Sequence, residues 1–217
     1  MRLSIASPVW HPLVLVLALA GAGGGLGCSD KDGEAQPGSG NGGSTKTDDI
    51  SREQARFDAE RKPEKVVEAL KIGPGSRVAD VGAGSGLLTV HLARAVQPNG
   101  QVVATDIDGA VLDLMHSRLQ AAGLADLVDR RVVGADTPGL EDATYDAILL
   151  AEVDHYFSDA VGWLAAAAKA LKPTGRIVIS NRIHHRAKSM AAAQKAGLKL
   201  EAESTPVPTH FIASFVK

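Results

Sequence analysis

From Ile50 onward, apolar residues recur in two alternating rhythms. Short runs with strand character occur at Arg77–Val81, Gln101–Asp106, Val128–Gly134, Tyr145–Ala151 and Arg176–Ser180. Between them the spacing becomes helical and predicts helices over Leu87–Val96, Asp108–Ala122, Ser158–Leu171 and Ala187–Ala196. On the second of these, Val111, Leu114, Met115, Leu119 and Ala122 share one face. Ser158 is placed to cap the third, with Asp159 in its first turn, and Gly197 to close the fourth. A leading helix covers Ser51–Leu70 and is interrupted near Pro63. It carries Val66, Val67 and Leu70 as its stripe and ends at Gly73-Pro74-Gly75. Tyr145–Ala151 is apolar enough to be central and buried on both faces. The last two runs, Leu198–Thr205 and Phe211–Val216, are joined by only five residues, Pro206–His210. That link is too short for a parallel crossover, so the pair must be antiparallel. Strands alternating with helices imply an α/β three-layer sandwich around a mostly parallel sheet of seven strands, ending in an antiparallel hairpin.

The first fifth of the chain has neither rhythm. Arg2 is the only charge before Asp30, and Leu13–Ala20 is an unbroken apolar run followed by small residues up to Cys28. That run suits the apolar part of an export signal and falls short of the about 20 apolar residues that span a bilayer. Residues 29–49 contain almost no apolar side chain and read as a flexible Gly/Ser-rich tether. The chain thus divides into a signal peptide over 1–27, a tether over 28–49 and one folded domain over 50–217.

Leu26-Gly27-Cys28-Ser29 resembles a bacterial lipoprotein signal. The resemblance implies cleavage before Cys28, lipidation of its thiol and, with Ser29 following, passage to the outer membrane of a Gram-negative cell. Cleavage at Ala18-Leu19-Ala20 or Ala20-Gly21-Ala22 by an ordinary signal peptidase, giving a soluble exported protein, stays open. A lipid anchor would make the membrane a partner of this chain.

Composition removes several classes. The 23 basic and 25 acidic side chains nearly cancel, so a sequence-wide nucleic-acid binder is not expected. One cysteine excludes an intramolecular disulfide and a multi-thiolate zinc site.

The chemistry concentrates after the first strand. Asp80-Val-Gly82-Ala-Gly84-Ser-Gly86 joins that strand to its helix, where residues without a Cβ let the backbone approach a ligand. Asp106 ends the second strand, where a carboxylate can accept both hydroxyls of a ribose. Loop, strand and acid together signal a nucleotide. The spacing G-x-G-x-G with an acid two residues ahead departs from the dinucleotide fingerprint G-x-G-x-x-G. It resembles the class I S-adenosylmethionine-dependent methyltransferases of the small-molecule type, as does Lys172-Pro-Thr-Gly-Arg176 before the fifth strand. The resemblance covers about Glu64 to Lys217. It implies a Rossmann-like fold, S-adenosyl-L-methionine as cofactor and a small-molecule acceptor. It also implies cofactor roles for Asp80, Gly82, Gly84, Gly86, Asp106 and, after the third strand, Asp136. Asp136 could instead cap a turn, and Asp80 could partner the loop amides.

Ligands of open α/β sheets bind beyond the C-terminal strand ends. Strand four ends in Glu152-Val-Asp154-His155-Tyr156-Phe157 and strand five in Asn181-Arg-Ile-His184-His185. His155 is the candidate catalytic base, since imidazole titrates near neutrality. Adjacent His184 and His185 point different ways in an extended segment, and no metal site is expected. A second reading, motivated by the export signal, is a non-catalytic envelope lipoprotein that keeps this fold to bind a ligand or a partner.

Overall fold

The computed structural model describes residues 46–217. Cys28, the signal peptide over 1–27 and the tether up to residue 45 lie outside the described residues. Helix α1 (Lys46–Arg61) begins inside the segment expected to be tether, and α2 (Pro63–Leu70) follows after a break at Lys62, whose φ is 53°. Pro63 opens α2, where a missing N–H costs nothing. Val66 and Leu70 of the expected stripe are buried.

Seven strands alternate with the remaining helices: β1 (Arg77–Val81), α3 (Thr89–Val96), β2 (Gln101–Asp106), α4 (Gly109–Ala121), β3 (Val128–Val132), β4 (Tyr145–Ala151), α5 (Ala160–Ala170), β5 (Leu171–Arg182), α6 (Arg186–Lys195), β6 (Lys199–Val207) and β7 (His210–Val216). They form one sheet in the order β3-β2-β1-β4-β5-β7-β6. All pairs are parallel up to β4–β5, whereas β5–β7 and β6–β7 are antiparallel. The α/β sandwich, the seven strands and the closing hairpin are as the pattern predicts.

The two-residue period of the strands divides the core. Val78, Val102, Ala147, Leu149 and Val178 face one side and pack with residues of α2, α3 and α4. Ala79, Val103, Ile148, Leu150, Ile177 and Ile179 face the other and pack with residues of α5 and α6. β4 is buried on both faces, as its apolar run predicts.

The differences from the pattern are local. On α4 the buried set is Leu112, Met115 and Leu119, together with Arg118, while Leu114 is exposed. Arg118 can turn inward because carbonyls satisfy its guanidinium, and apolar spacing carries no sign of that. The cap of α5 is Asp159, which accepts from Gly162 N at 2.9 Å, one residue later than the expected Ser158. β5 begins five residues early, at Leu171, with a register shift opposite Tyr145 and Ala147. A Cβ on Gly175 in this irregular stretch would stand 2.8 Å from the Tyr145 carbonyl oxygen. β6 and β7 run longer than expected, leaving only Pro208 and Thr209 between them. At the sheet's free edge, β6 is exposed over Lys199–Thr205; Glu201 there pairs with Lys71 and Arg176, and Glu203 with Arg186. Among the described residues no helix is long and apolar enough to cross a membrane.

Candidate functional site

The strand order reverses between β1 and β4, and the C-terminal ends of β1 to β4 converge there. A cavity of about 460 Å³ opens at this point. Val81 and Gly82 line it from the end of β1, and Thr105, Asp106 and Ile107 from the end of β2. The segment after β3 contributes Val133, Gly134, Ala135 and Thr137. From beyond β4 come Glu152, Val153, Tyr156 and Phe157, and from α5 comes Trp163. Phe157 and Trp163 stack at 4.3 Å between ring centroids, giving an apolar wall in a chain poor in aromatic residues.

The glycine loop is set by close approach on both sides. Gly82 has φ 67°, and a Cβ there would lie 2.6 Å from Val153 Cγ2. Gly86 has φ 83°, and its Cβ would lie 2.4 Å from Met115 Cγ. The amides of Gly82 and Ala83 donate to the Thr105 carbonyl at 2.8 and 3.0 Å, fastening the loop to β2. Gly84, with φ 55° and open space where a Cβ would be, donates its amide to Asp106 Oδ2 at 2.9 Å.

The structure therefore brings Gly82 and Asp106 to the cavity and bonds Gly84 to Asp106, which retains acceptor capacity beyond its bonds to Gly84 N and Asp108 N. Asp80 stands behind the loop, 1% exposed, accepting from Thr89 Oγ1 at 2.7 Å. Burial pushes its carboxyl up to about 6; the nearby Asp106 charge adds to this, and the Thr89 hydrogen bond opposes it.

Asp136 and His155 are not among the residues that line the cavity. The Asp136 carboxylate accepts from Ser158 N at 3.2 Å and Ser158 Oγ at 2.7 Å. It ties two loops together while its neighbours Ala135 and Thr137 line the cavity.

His155 sits in a short 3-10 turn beside the cavity-lining Tyr156. Asn181 Nδ2 bonds Asp154 Oδ1 at 2.6 Å and lies 3.0 Å from His155 Nδ1, while Asn181 Oδ1 accepts from Arg182 N at 2.7 Å. These contacts fix the amide, so His155 Nδ1 accepts and the ring proton sits on Nε2. The His155 ring also stacks on His185 at 4.1 Å. Burial and the neighbouring imidazoles hold His185 below the usual histidine range.

Two further residues shape the surroundings: Glu152, which the sequence places at the end of strand four, and Arg118, which it does not single out. Glu152 has φ 54° and carries ion pairs with Arg61 and Arg182. Burial alone would push its carboxyl up, but Arg61 first, then Arg182 and His210, hold it below the ordinary range. Arg118, 4% exposed, donates from Nε to the Ser85 carbonyl at 2.9 Å and from Nη1 to the Ile50 carbonyl at 3.3 Å, and pairs with Glu53. It joins the glycine loop to α1.

The family described as "Methyltransferase domain" matches residues 79–177, from β1 into β5. Among solved structures, a SAM-dependent methyltransferase from Aquifex aeolicus superposes with a TM-score of 0.68 at 20% identity, covering 79% of this chain and 98% of that one. The chain has the class I S-adenosylmethionine-dependent methyltransferase fold. An O-methyltransferase from Thermotoga maritima shares it with a TM-score of 0.59 at 22% identity, over 72% of this chain and 64% of that one. Among curated relatives, the ubiquinone/menaquinone biosynthesis C-methyltransferase of Teredinibacter turnerae is 34% identical over 113 residues, 52% of this chain and 45% of the relative. The ubiquinone biosynthesis O-methyltransferase of Xanthomonas campestris pv. campestris is 31% identical over 149 residues, 66% of this chain and 58% of the relative. The chain spans about half the length of the curated relatives it matches.

Several neighbours of this fold are SAM-dependent methyltransferases, and the residues lining this cavity are chemically suited to a ribose-bearing cofactor of that kind. Asp106 offers carboxylate oxygens for a ribose, and Phe157 and Trp163 give an apolar wall for a planar base. Thr105 lines the cavity with its buried Oγ1 lacking a hydrogen-bond partner, as expected of a wall built to meet a polar ligand.

Proposed function

We propose that this protein transfers a methyl group from S-adenosylmethionine to a small-molecule acceptor, and that a lipid on Cys28 holds it at the cell envelope. The observation that carries the first part is the union of Gly84 N and Asp106 Oδ2 at the mouth of the cavity. It holds loop and acid in the relation a ribose-bearing ligand needs. When bound, the cofactor supplies an electrophilic methyl group on a sulfonium. Asp106 accepts the ribose hydroxyls. The ionised form of Asp80, behind the loop, favours a cationic ligand. His155, in its Nε2–H form, orients the acceptor by donating a hydrogen bond. The curated relatives carry names from quinone biosynthesis, which supports a small organic acceptor.

A second reading has its own support. An export signal places the domain outside the cytosol, where S-adenosylmethionine is made, which favours a non-catalytic envelope lipoprotein that binds a ligand or a partner through the same fold. Calorimetry separates the readings. The enzyme reading expects heat with S-adenosylmethionine and S-adenosylhomocysteine, and its loss in Asp106→Ala. No heat with either would refute it. Surface labelling of intact cells, together with mass analysis of Cys28, tests the anchor; unlipidated cytosolic protein would refute it.

A further inference from the structure

The ends of α1, β4 and β5 and the start of β7 meet at one carboxylate. Arg61, the last residue of α1, donates from Nη1 to Glu152 Oε1. Arg182, the last residue of β5, donates from Nε to Glu152 Oε2 at 3.0 Å. His210, the first residue of β7, brings Nε2 to 3.4 Å from Glu152 Oε1 without forming a hydrogen bond. Three cation-forming side chains therefore surround a single carboxylate, and donors are left over. Arg61 Nε and His210 Nε2 are buried without partners, and His210 is 8% exposed. The Arg182 side chain is 61% exposed, and its two Nη groups make no hydrogen bond among the described residues. Other acids nearby are already satisfied: Asp154 by Asn181 and Ser189, Glu203 by Arg186. Buried donors without acceptors are costly, and a guanidinium with free Nη groups presents a planar fork suited to an oxyanion.

Position gives the cluster its meaning. Glu152 also lines the cavity, so the cations abut the cofactor site on its β5–β7 side, opposite the wall formed by β1 and β2.

We propose that Arg61, Arg182 and His210 bind an acidic oxyanion group, carboxylate or phosphate, on the acceptor, which is therefore an organic anion. This rests on the methyl-transfer reading for the word acceptor, whereas the anion site itself does not. Glu152 holds the two arginines in place, and Arg182, the reachable one, swings its free Nη groups to the incoming group. An anion there also offers His210 Nε2 an acceptor. The His210 ring is held below the usual range by burial and by Arg61, so a bound anion raises its titration midpoint.

The test is a nuclear magnetic resonance titration of the whole protein, following the His210 ring and the arginine Nε–H signals. The probes are benzoate and phenyl phosphate, with benzyl alcohol and benzylamine as uncharged and cationic controls. We expect saturable shifts with at least one of the anions, an upward move of the His210 midpoint, and affinity about tenfold or more above both controls. Which anion wins distinguishes carboxylate from phosphate. Arg182→Gln should weaken the anion by about tenfold or more, and its exposed position spares the fold. Arg61→Gln is the second variant, checked for folding by its spectrum. No saturable shift with either anion, binding equal to that of benzyl alcohol, or binding unchanged in Arg182→Gln overturns the proposal. Calorimetry with S-adenosylhomocysteine on the same samples keeps the two ideas apart. Heat without anion binding sinks this site and spares the methyl-transfer reading. Anion binding without heat sinks that reading and leaves an anion site in a ligand-binding protein.

Discussion

Replacing Asp80 with asparagine should stabilise the ligand-free protein, because the carboxyl is buried where its charge is poorly compensated. In the fold it is 1% exposed and has one hydroxyl donor, and burial pushes its carboxyl from 3.8 up to about 6. A folded-state pKa raised above the unfolded one favours the neutral form in the native protein. The cost of ionisation is absent below the unfolded value, grows as pH rises from 3.8 toward about 6, and is complete above that. Two pKa units at about 1.4 kcal/mol each correspond to ~3 kcal/mol at pH 7, as an order of magnitude. Asparagine removes the charge and keeps an oxygen to accept from Thr89. Urea unfolding of wild type and Asp80→Asn across pH should show the variant ahead by up to ~3 kcal/mol near neutrality, the gap closing toward pH 4. A gap that does not change with pH, or a variant less stable at pH 7, would refute the reasoning. Function should move the other way. S-adenosylmethionine, cationic at sulfur, should lose more affinity in the variant than uncharged-sulfur S-adenosylhomocysteine, and equal losses would show that the Asp80 charge does not reach the cofactor.

Other substitutions probe separate contacts. Gly82→Ala meets Val153 at 2.6 Å and strains a positive φ, so it should cost about 2 kcal/mol or more and weaken cofactor binding, read by thermal unfolding and calorimetry. Arg118→Met removes the bridge between Ser85 and α1; about 2–4 kcal/mol should be lost, and limited proteolysis should cut near α1 first. Asn181→Leu removes the donor that pins His155 Nδ1. The ring's nitrogen-15 shifts should then show Nδ1 carrying the proton in part, and an unchanged tautomer would refute the assignment.

What could be read in advance followed from periodic signals. The alternation of strand and helix patterns, the apolar run of β4 and the short link before Phe211 pointed to a mostly parallel sheet with a closing hairpin. Gly82, Gly84, Gly86 and Asp106 were legible because a tight strand-to-helix turn admits few residue types. Glu152 was not. Its importance comes from a left-handed backbone angle and from Arg61, Arg182 and His210 arriving from α1, β5 and β7, which no local pattern encodes. Arg118 was hidden for the opposite reason, since a charged residue on an amphipathic helix reads as solvated unless its carbonyl partners are known. For His155 the residue type and neighbourhood were visible, but the tautomer depends on Asn181, distant in sequence. The Asp136 carboxylate meets Ser158, a partner distant in sequence that no local pattern encodes.

The free edge of β6 has a consequence for crowding. An outer strand presents unpaired amides and carbonyls to any second copy that approaches. Along β6, Lys199, Glu201, Glu203 and Pro206 punctuate a strand whose one large apolar side chain, Leu200, is exposed, and the two glutamates are held by Lys71, Arg176 and Arg186. A neighbour seeking to extend the sheet would have to break those ion pairs, align like charges in register and pass a proline that donates nothing. At high local concentration that edge is a barrier to filament growth rather than a gap in the architecture.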